Sequence, residues 1–109
     1  MAAIDIGKLV NDSIAAASAA TGDDITKMQG FAKSQFEAIA QNAAGIAEDR
    51  LAGKLSKEEF EILMDGIPDL VKNTANCLKG LALIAAEKAW NAIAKTVQDT
   101  VSGAVKAAI

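Results

Sequence analysis

The sequence contains no histidine and no tyrosine, and its 109 residues include one cysteine, one proline, three phenylalanines and one tryptophan. Without histidine, the chain lacks the commonest general base and the commonest transition-metal ligand. The single Cys77 excludes an internal disulfide, and its position among apolar residues predicts a small buried side chain. Ser13 and Ser18 have no base near them in the sequence, and no glycine-rich phosphate loop is present. We therefore predict a non-enzymatic protein with no catalytic residue, no metal site and no cofactor.

Charge and hydropathy exclude further classes of protein. The net charge of −3 and the absence of a basic stripe argue against nucleic-acid binding. The first ten residues carry Asp5 and Lys8 where a secretory signal needs an apolar core, so we expect a cytoplasmic location. The apolar run from Leu78 to Ala86 is interrupted by Lys79 and is too short to cross a bilayer, so we predict no transmembrane segment.

Alanine dominates what is present, with 24 of the 109 residues. Alanine has the highest helix propensity but contributes little apolar area to a core. No stretch shows the two-residue alternation of a β-strand. The sequence therefore predicts one all-α domain over residues 1–109. Because alanine-rich helices gain most when they are covered on several sides, we expect the fold to be completed by self-association into a homo-oligomer.

Local signals divide the chain into four predicted helices, at about residues 5–20, 24–52, 57–65 and 68–107. Gly22 and Gly53 are suited to helix ends, and Pro68 predicts a break or kink in front of the last helix. The sharpest signal is Ser56 followed by Glu59, which forms a capping box at the start of the third helix. The chain is expected to reverse direction just before it, at residues 53–56, as an αα-hairpin.

The predicted lengths favour an elongated shape. At 1.5 Å per residue, helices 24–52 and 68–107 would be about 43 and 60 Å long. A compact domain of this size has a radius of gyration of only about 13 Å. Unless Gly80 breaks the last helix, the pattern therefore indicates an elongated helical hairpin, or antiparallel bundle, with a kink near Pro68.

Apolar residues along residues 60–108 form a stripe whose period changes. The first part has the seven-residue repeat of a coiled coil, through Phe60, Leu63, Ile67, Leu70, Thr74, Cys77, Leu81 and Ile84. The second part follows an eleven-residue repeat, through Ala86, Trp90, Ile93, Val97, Val101, Ala104 and Ala108. Both patterns indicate a helix face that lies against another helix or an apolar surface.

This stripe supports two hypotheses for function. The first is a structural or assembly protein that self-associates through its alanine-rich amphipathic helices. Its interface would contain Leu70, Cys77, Leu81, Trp90, Ile93, Val97 and Val101. The alternative is an amphipathic-helix protein that coats a lipid, membrane or granule surface, since eleven-residue repeats suit a helix lying flat on an apolar interface. The last helix carries only a few lysines, fewer than the helices of such proteins usually have.

Two charged groups complete the list of candidates. Glu58, Glu61, Asp65 and Asp69 follow each other at helical spacing on one face, where carboxylates can hold a divalent cation. With no histidine to complete a ligand set, we interpret this acidic ladder as a solvated face. Arg50 falls close to the apolar face of the second predicted helix, which predicts an ion pair with Glu37, Glu48 or a neighbouring molecule.

Overall fold

In the computed structural model, residues 4–108 are described, and they form an all-α fold. The ends of the predicted 1–109 domain, residues 1–3 and 109, lie outside this range. Five α-helices follow one another in the order α1 (Ile6–Thr21), α2 (Lys33–Leu51), α3 (Lys57–Asp65), α4 (Ile67–Thr74) and α5 (Leu83–Ala108). Short 3-10 turns at Ile25–Lys27 and Asn76–Gly80 precede α2 and α5.

The ends of α1 and α3 follow the local signals in the sequence. The Asp5 carboxylate accepts from the backbone N–H of Lys8 at the start of α1, and Gly22 ends that helix with a left-handed φ of 78°. At the start of α3, Ser56 Oγ accepts from the Glu59 N–H at 3.1 Å, and Glu59 Oε1 accepts from the Ser56 N–H at 2.9 Å. The predicted capping box and the predicted bounds 57–65 are confirmed. These hydrogen bonds favour the carboxylate form and lower the pKa of Glu59.

Removing this cap gives a first testable prediction. We expect Ser56→Ala to lower the free energy of unfolding by about 1 kcal/mol, because the N–H of Glu59 loses its acceptor. Chemical denaturation followed by circular dichroism measures the change. Ser34→Ala is a suitable control, since this exposed serine lies in the first turn of α2 and caps no helix. Equal effects of the two substitutions would contradict the role given to the cap.

The predicted helix 24–52 is wrong in its first third. Asp24 caps only a 3-10 turn, with its Oδ1 accepting from the backbone N–H of Thr26 at 3.0 Å. Gly30 then takes a left-handed φ of 85°, which is incompatible with a continuous α-helix, and α2 begins only at Lys33. The buried side chain of Ile25 therefore reaches the core from a turn.

The predicted helix 68–107 is also divided. Helix α4 ends at Thr74, and α5 begins only at Leu83. Contacts from elsewhere in the fold satisfy the backbone between them. Trp90 Nε1 donates to the carbonyl of Ala75 at 3.2 Å, and Gln35 Oε1 accepts from the N–H of Cys77 at 2.7 Å. These side chains supply hydrogen bonds in a segment where the α-helix is interrupted.

The junction between α3 and α4 consists of a single residue. Gly66, which separates the two helices, keeps right-handed helical dihedral angles, and Pro68 occupies the first turn of α4, where its missing N–H costs nothing. The helix is divided at this point, while the kink near Pro68 stays a prediction.

Helix α5 is the axis of the molecule. Helices α1, α2 and α4 pack around it, and α3 lies beside its last turns, where Gln98 Nε2 donates to the Met64 carbonyl at 2.9 Å. The molecule measures 41 × 24 × 18 Å, and its long dimension matches the length of about 39 Å expected for the 26 residues of α5. The radius of gyration is 13.8 Å, close to that of an ordinary domain of this length. The two divisions therefore remove the argument that the helices are too long for a compact chain.

Candidate functional site

The chain itself covers much of the predicted interface. Ile93, Val97 and Val101 have no exposed surface, and Trp90 is 6% exposed. All four belong to a cluster of buried apolar residues to which all five helices contribute. Helices of the same chain therefore cover these four side chains and leave them almost no exposed surface, and their contact with a second molecule stays a prediction. An apolar stripe indicates burial, but the partner helices here belong to the same chain.

Trp90 is a core residue with a polar anchor. Its indole N–H donates to the Ala75 carbonyl, and Lys72 Nζ lies 5.6 Å from the centre of its ring. A buried indole N–H normally needs such an acceptor. Trp90 thereby holds α5 against the end of α4.

The other three predicted interface residues, Leu70, Cys77 and Leu81, are half-buried and pack against the edge of the core. Cys77 is a free thiol whose backbone is held by Gln35. Leu70 lies on α4, whereas Cys77 and Leu81 lie in the connection to α5. Their participation in contacts between molecules stays a prediction, and only Leu81 lies in the exposed apolar segment described below.

The acidic ladder lies on exposed surface along α3 and α4. Within residues 4–108, the acidic side chains form no group of three or more potential metal ligands. Shifted pKa values are resolved for three groups, and each has a local cause. A hydrogen bond and the charge of Asp12 raise the pKa of Lys8, hydrogen bonds from Thr26 lower that of Asp24, and the capping box lowers that of Glu59.

We expect the acidic ladder to be inert toward metal ions. Adding calcium, magnesium, manganese or iron(II) should leave the melting temperature unchanged, because ligands stabilise a fold only by binding its native state. Differential scanning calorimetry with and without each ion measures this. A rise in melting temperature that disappears in Asp65→Asn would identify a site that the spacing of the carboxylates does not reveal.

An exposed apolar segment, residues 80–85, occupies one end of α5. Its sequence, Gly-Leu-Ala-Leu-Ile-Ala, contains no charged or hydrogen-bonding side chain. Leu83 is 68% exposed and Ile84 is 72% exposed, although both belong to the most hydrophobic residue types. We call residues 80–85 the apolar tip. Consecutive exposed apolar residues of this kind usually indicate a surface that contacts a partner.

A groove of about 480 Å³ lies directly beside the apolar tip. The buried Ile25 and the half-buried Met28 and Leu81 provide its apolar lining, and Asp23, Asp24 and Lys27 provide its charges. We call it the tip groove. Because Leu81 belongs to both features, a protruding apolar surface and an apolar recess are neighbours at the same end of the molecule.

A second groove, of about 460 Å³, lies at the other end of α5, between that helix, α3 and the end of α2. Phe60, Met64 and Val105 form its apolar lining. Its charged groups are Arg50, Lys57, Glu61, Asp65 and Lys106. We call it the basic groove. Arg50 has no carboxylate within 4.0 Å among the described residues, so its predicted ion pair within the chain is absent from the structure.

The apolar tip has a sequence signal that periodicity obscures. The run 80–86 has no charge and begins at a glycine, but it also continues the apolar stripe. Interpreted as a helix, it contributes one predicted interface residue, Leu81. Interpreted as a turn followed by a helix start, it is an exposed segment. Among residues 4–108, no helix is both long enough and apolar enough to cross a bilayer.

No protein-family model matches this sequence, no curated protein is significantly similar to it, and no solved structure significantly matches its fold.

Proposed function

We propose that this chain is a non-enzymatic assembly protein that forms a homodimer through its apolar tip. The observation that carries the proposal is the exposure of Leu83 and Ile84 beside the tip groove. The proposal keeps the self-association expected from the sequence but moves the contact from the face of α5 to its first turn. A cytoplasmic location and the absence of nucleic-acid binding remain part of the proposal.

The neighbouring tip and groove suit a two-fold dimer. In such a contact, the same surface is used by both copies, so each tip can enter the groove of the other copy. The tip is flanked in sequence by Lys79 on one side and by Glu87 and Lys88 on the other, a net charge of +1, and the tip groove carries Asp23, Asp24 and Lys27, a net charge of −1. The reciprocal arrangement therefore allows opposite charges to meet at the rim, where they favour one orientation more than they add affinity.

The expected dimer is weak. Each fully buried side chain of this kind contributes about 1.5–3 kcal/mol. Because Leu83 is 68% and Ile84 72% exposed in the monomer, covering both residues in both copies contributes roughly 4–8 kcal/mol. Association itself costs about 4 kcal/mol or more. The difference is at most about 4 kcal/mol, which corresponds to a dissociation constant of about 1 mM at best, so the dimer should form only at millimolar concentration.

Sedimentation velocity over a wide range of concentration tests the proposal. The wild-type chain should be monomeric at micromolar concentration and form dimer in the millimolar range, whereas Ile84→Glu should remain monomeric throughout. Ile62→Glu is a matched control, because Ile62 is 70% exposed but lies on α3, away from the tip. A wild-type monomer at millimolar concentration, or equal loss of the dimer in both variants, would refute the proposal.

The second candidate, attachment to a lipid surface, is supported by the same tip, whose flanks carry Lys79, Lys88 and one acidic residue, Glu87. An apolar segment between lysines can insert among acyl chains while the ammonium groups contact anionic headgroups. Flotation with vesicles containing anionic phospholipid tests it. Flotation of the wild-type chain but not of Ile84→Glu, together with a monomer at millimolar concentration, would favour the lipid function over the dimer.

A further inference from the structure

The basic groove is independent of the apolar tip. Ile84 and Val105 are 21 positions apart on α5, which places them about 32 Å apart along the helix axis. The groove forms where α3 folds back after the capping box and is fastened to α5 by the hydrogen bond from Gln98 to the Met64 carbonyl. Its position therefore depends on contacts that the proposed dimer does not use.

The size and lining of the basic groove resemble those of a ligand site. Its volume of about 460 Å³ lies in the range of about 300–1,000 Å³ that is usual for small-molecule pockets. Met64 and Val105 are buried, and the half-buried ring of Phe60 contributes a third apolar surface. The apolar residues come from two different helices, so a hydrocarbon chain between them would contact both.

Arg50 is the only half-buried charged residue that lines the groove, and most of its donors have no partner among the described residues. Its side chain is half-buried at the end of α2, and it makes one hydrogen bond, from Nη1 to the Leu55 carbonyl at the long distance of 3.5 Å. A guanidinium has five N–H donors arranged to bind a carboxylate with two hydrogen bonds. The exposed Lys57 and Lys106 line the same groove and add two further positive charges.

The charges of the groove limit what it can bind. Glu61 and Asp65 also line it, so three cations face two carboxylates, with a net charge of +1. A ligand with several negative charges would be repelled by the two carboxylates. An uncharged apolar ligand would cover the Arg50 guanidinium without pairing it, which is unfavourable. A ligand with one negative charge and an apolar chain satisfies both conditions.

We propose that the basic groove binds a single-chain anionic amphiphile, such as a free fatty acid. Its carboxylate contacts the Arg50 guanidinium, with Lys57 and Lys106 nearby, and its hydrocarbon chain lies on Phe60, Met64 and Val105. The contact is non-covalent and needs no other component.

Titration calorimetry with dodecanoate below its micelle concentration tests this proposal on the full chain. One dodecanoate should bind per chain, and Arg50→Gln should weaken binding at least tenfold. Lys106→Gln should weaken it severalfold; because Lys106 is exposed, this second variant keeps the test valid even if Arg50→Gln folds poorly. Lys88→Gln, at the other end of α5, is the matched control and should leave binding unchanged.

Two probes test the head group and the hydrocarbon chain of the ligand separately. Dodecanol lacks the charge and acetate lacks the hydrocarbon, so each should bind at least tenfold more weakly than dodecanoate. The proposal would be overturned if dodecanol bound as tightly as dodecanoate, or if Lys88→Gln weakened binding as much as Arg50→Gln. It would also be overturned if the chain took up many dodecanoate molecules and lost helix. Amide chemical shifts that change at residues 57–65 with protein concentration alone would overturn it in favour of a second copy. Ile84→Glu should bind dodecanoate normally, so failure of the dimer and failure of this site are distinguishable.

Discussion

Replacing Trp90 with alanine should lower the free energy of unfolding by about 3–5 kcal/mol. The residue is only 6% exposed, and removing its side chain leaves a large cavity between α5 and the end of α4. The Ala75 carbonyl also loses its donor. Because domains of this size are stable by only about 5–15 kcal/mol, this single change would remove a large share of the total. Guanidinium denaturation followed by far-ultraviolet circular dichroism measures the effect.

Trp90→Phe separates the two contributions. Phenylalanine keeps most of the apolar surface but cannot donate to the Ala75 carbonyl, so we expect a loss of about 1–3 kcal/mol. The loss in Trp90→Ala should be independent of protein concentration, since the residue is covered within one chain. A loss below about 1 kcal/mol, or one that changes with dilution, would contradict its place in the core.

The parts of the fold that follow from the sequence are those controlled by neighbouring residues. The capping box needs only Ser56 and Glu59, three positions apart, and it sets the start of α3 regardless of what surrounds it. Gly22 similarly ends α1, because its left-handed φ is inexpensive only for glycine. Alanine content and the absence of strand patterns were sufficient for the all-α class.

The divisions within the two long predicted helices depend on distant residues. The N–H of Cys77 is bonded by Gln35, 42 positions earlier, and the carbonyl of Ala75 is bonded by Trp90, 15 positions later. The N–H of Ile25 is likewise bonded by Ser18 Oγ, at 3.2 Å. Since apolar residues continue at helical spacing through both divisions, periodicity alone favours uninterrupted helices.

The candidate site was predictable to a smaller extent. Periodicity correctly marks Trp90, Ile93 and Val97 as residues that need covering, but it contains no information on which chain covers them. The length of the predicted helices decided that question in favour of a second molecule, and the divisions at residues 28–32 and 75–82 remove that reason. Leu83 and Ile84 are exposed because α5 begins there, at the edge of its packing against α4.

Phe36→Ala should also lower the free energy of unfolding by about 3–5 kcal/mol, because the ring in α2 is 1% exposed and is the largest of the fully buried side chains. Its matched control is Phe31→Ala, whose half-buried ring lies in the connection before α2, with a ring centre 5.6 Å from that of Phe36. We expect a clearly smaller loss there, and a coupling of about 0.5–1.5 kcal/mol in the double-mutant cycle from the contact between the two rings. Urea denaturation of the four proteins gives both numbers. Equal losses in the two single variants would mean that the residues before α2 are as deeply packed as α2 itself, contrary to the division of the predicted helix at Gly30.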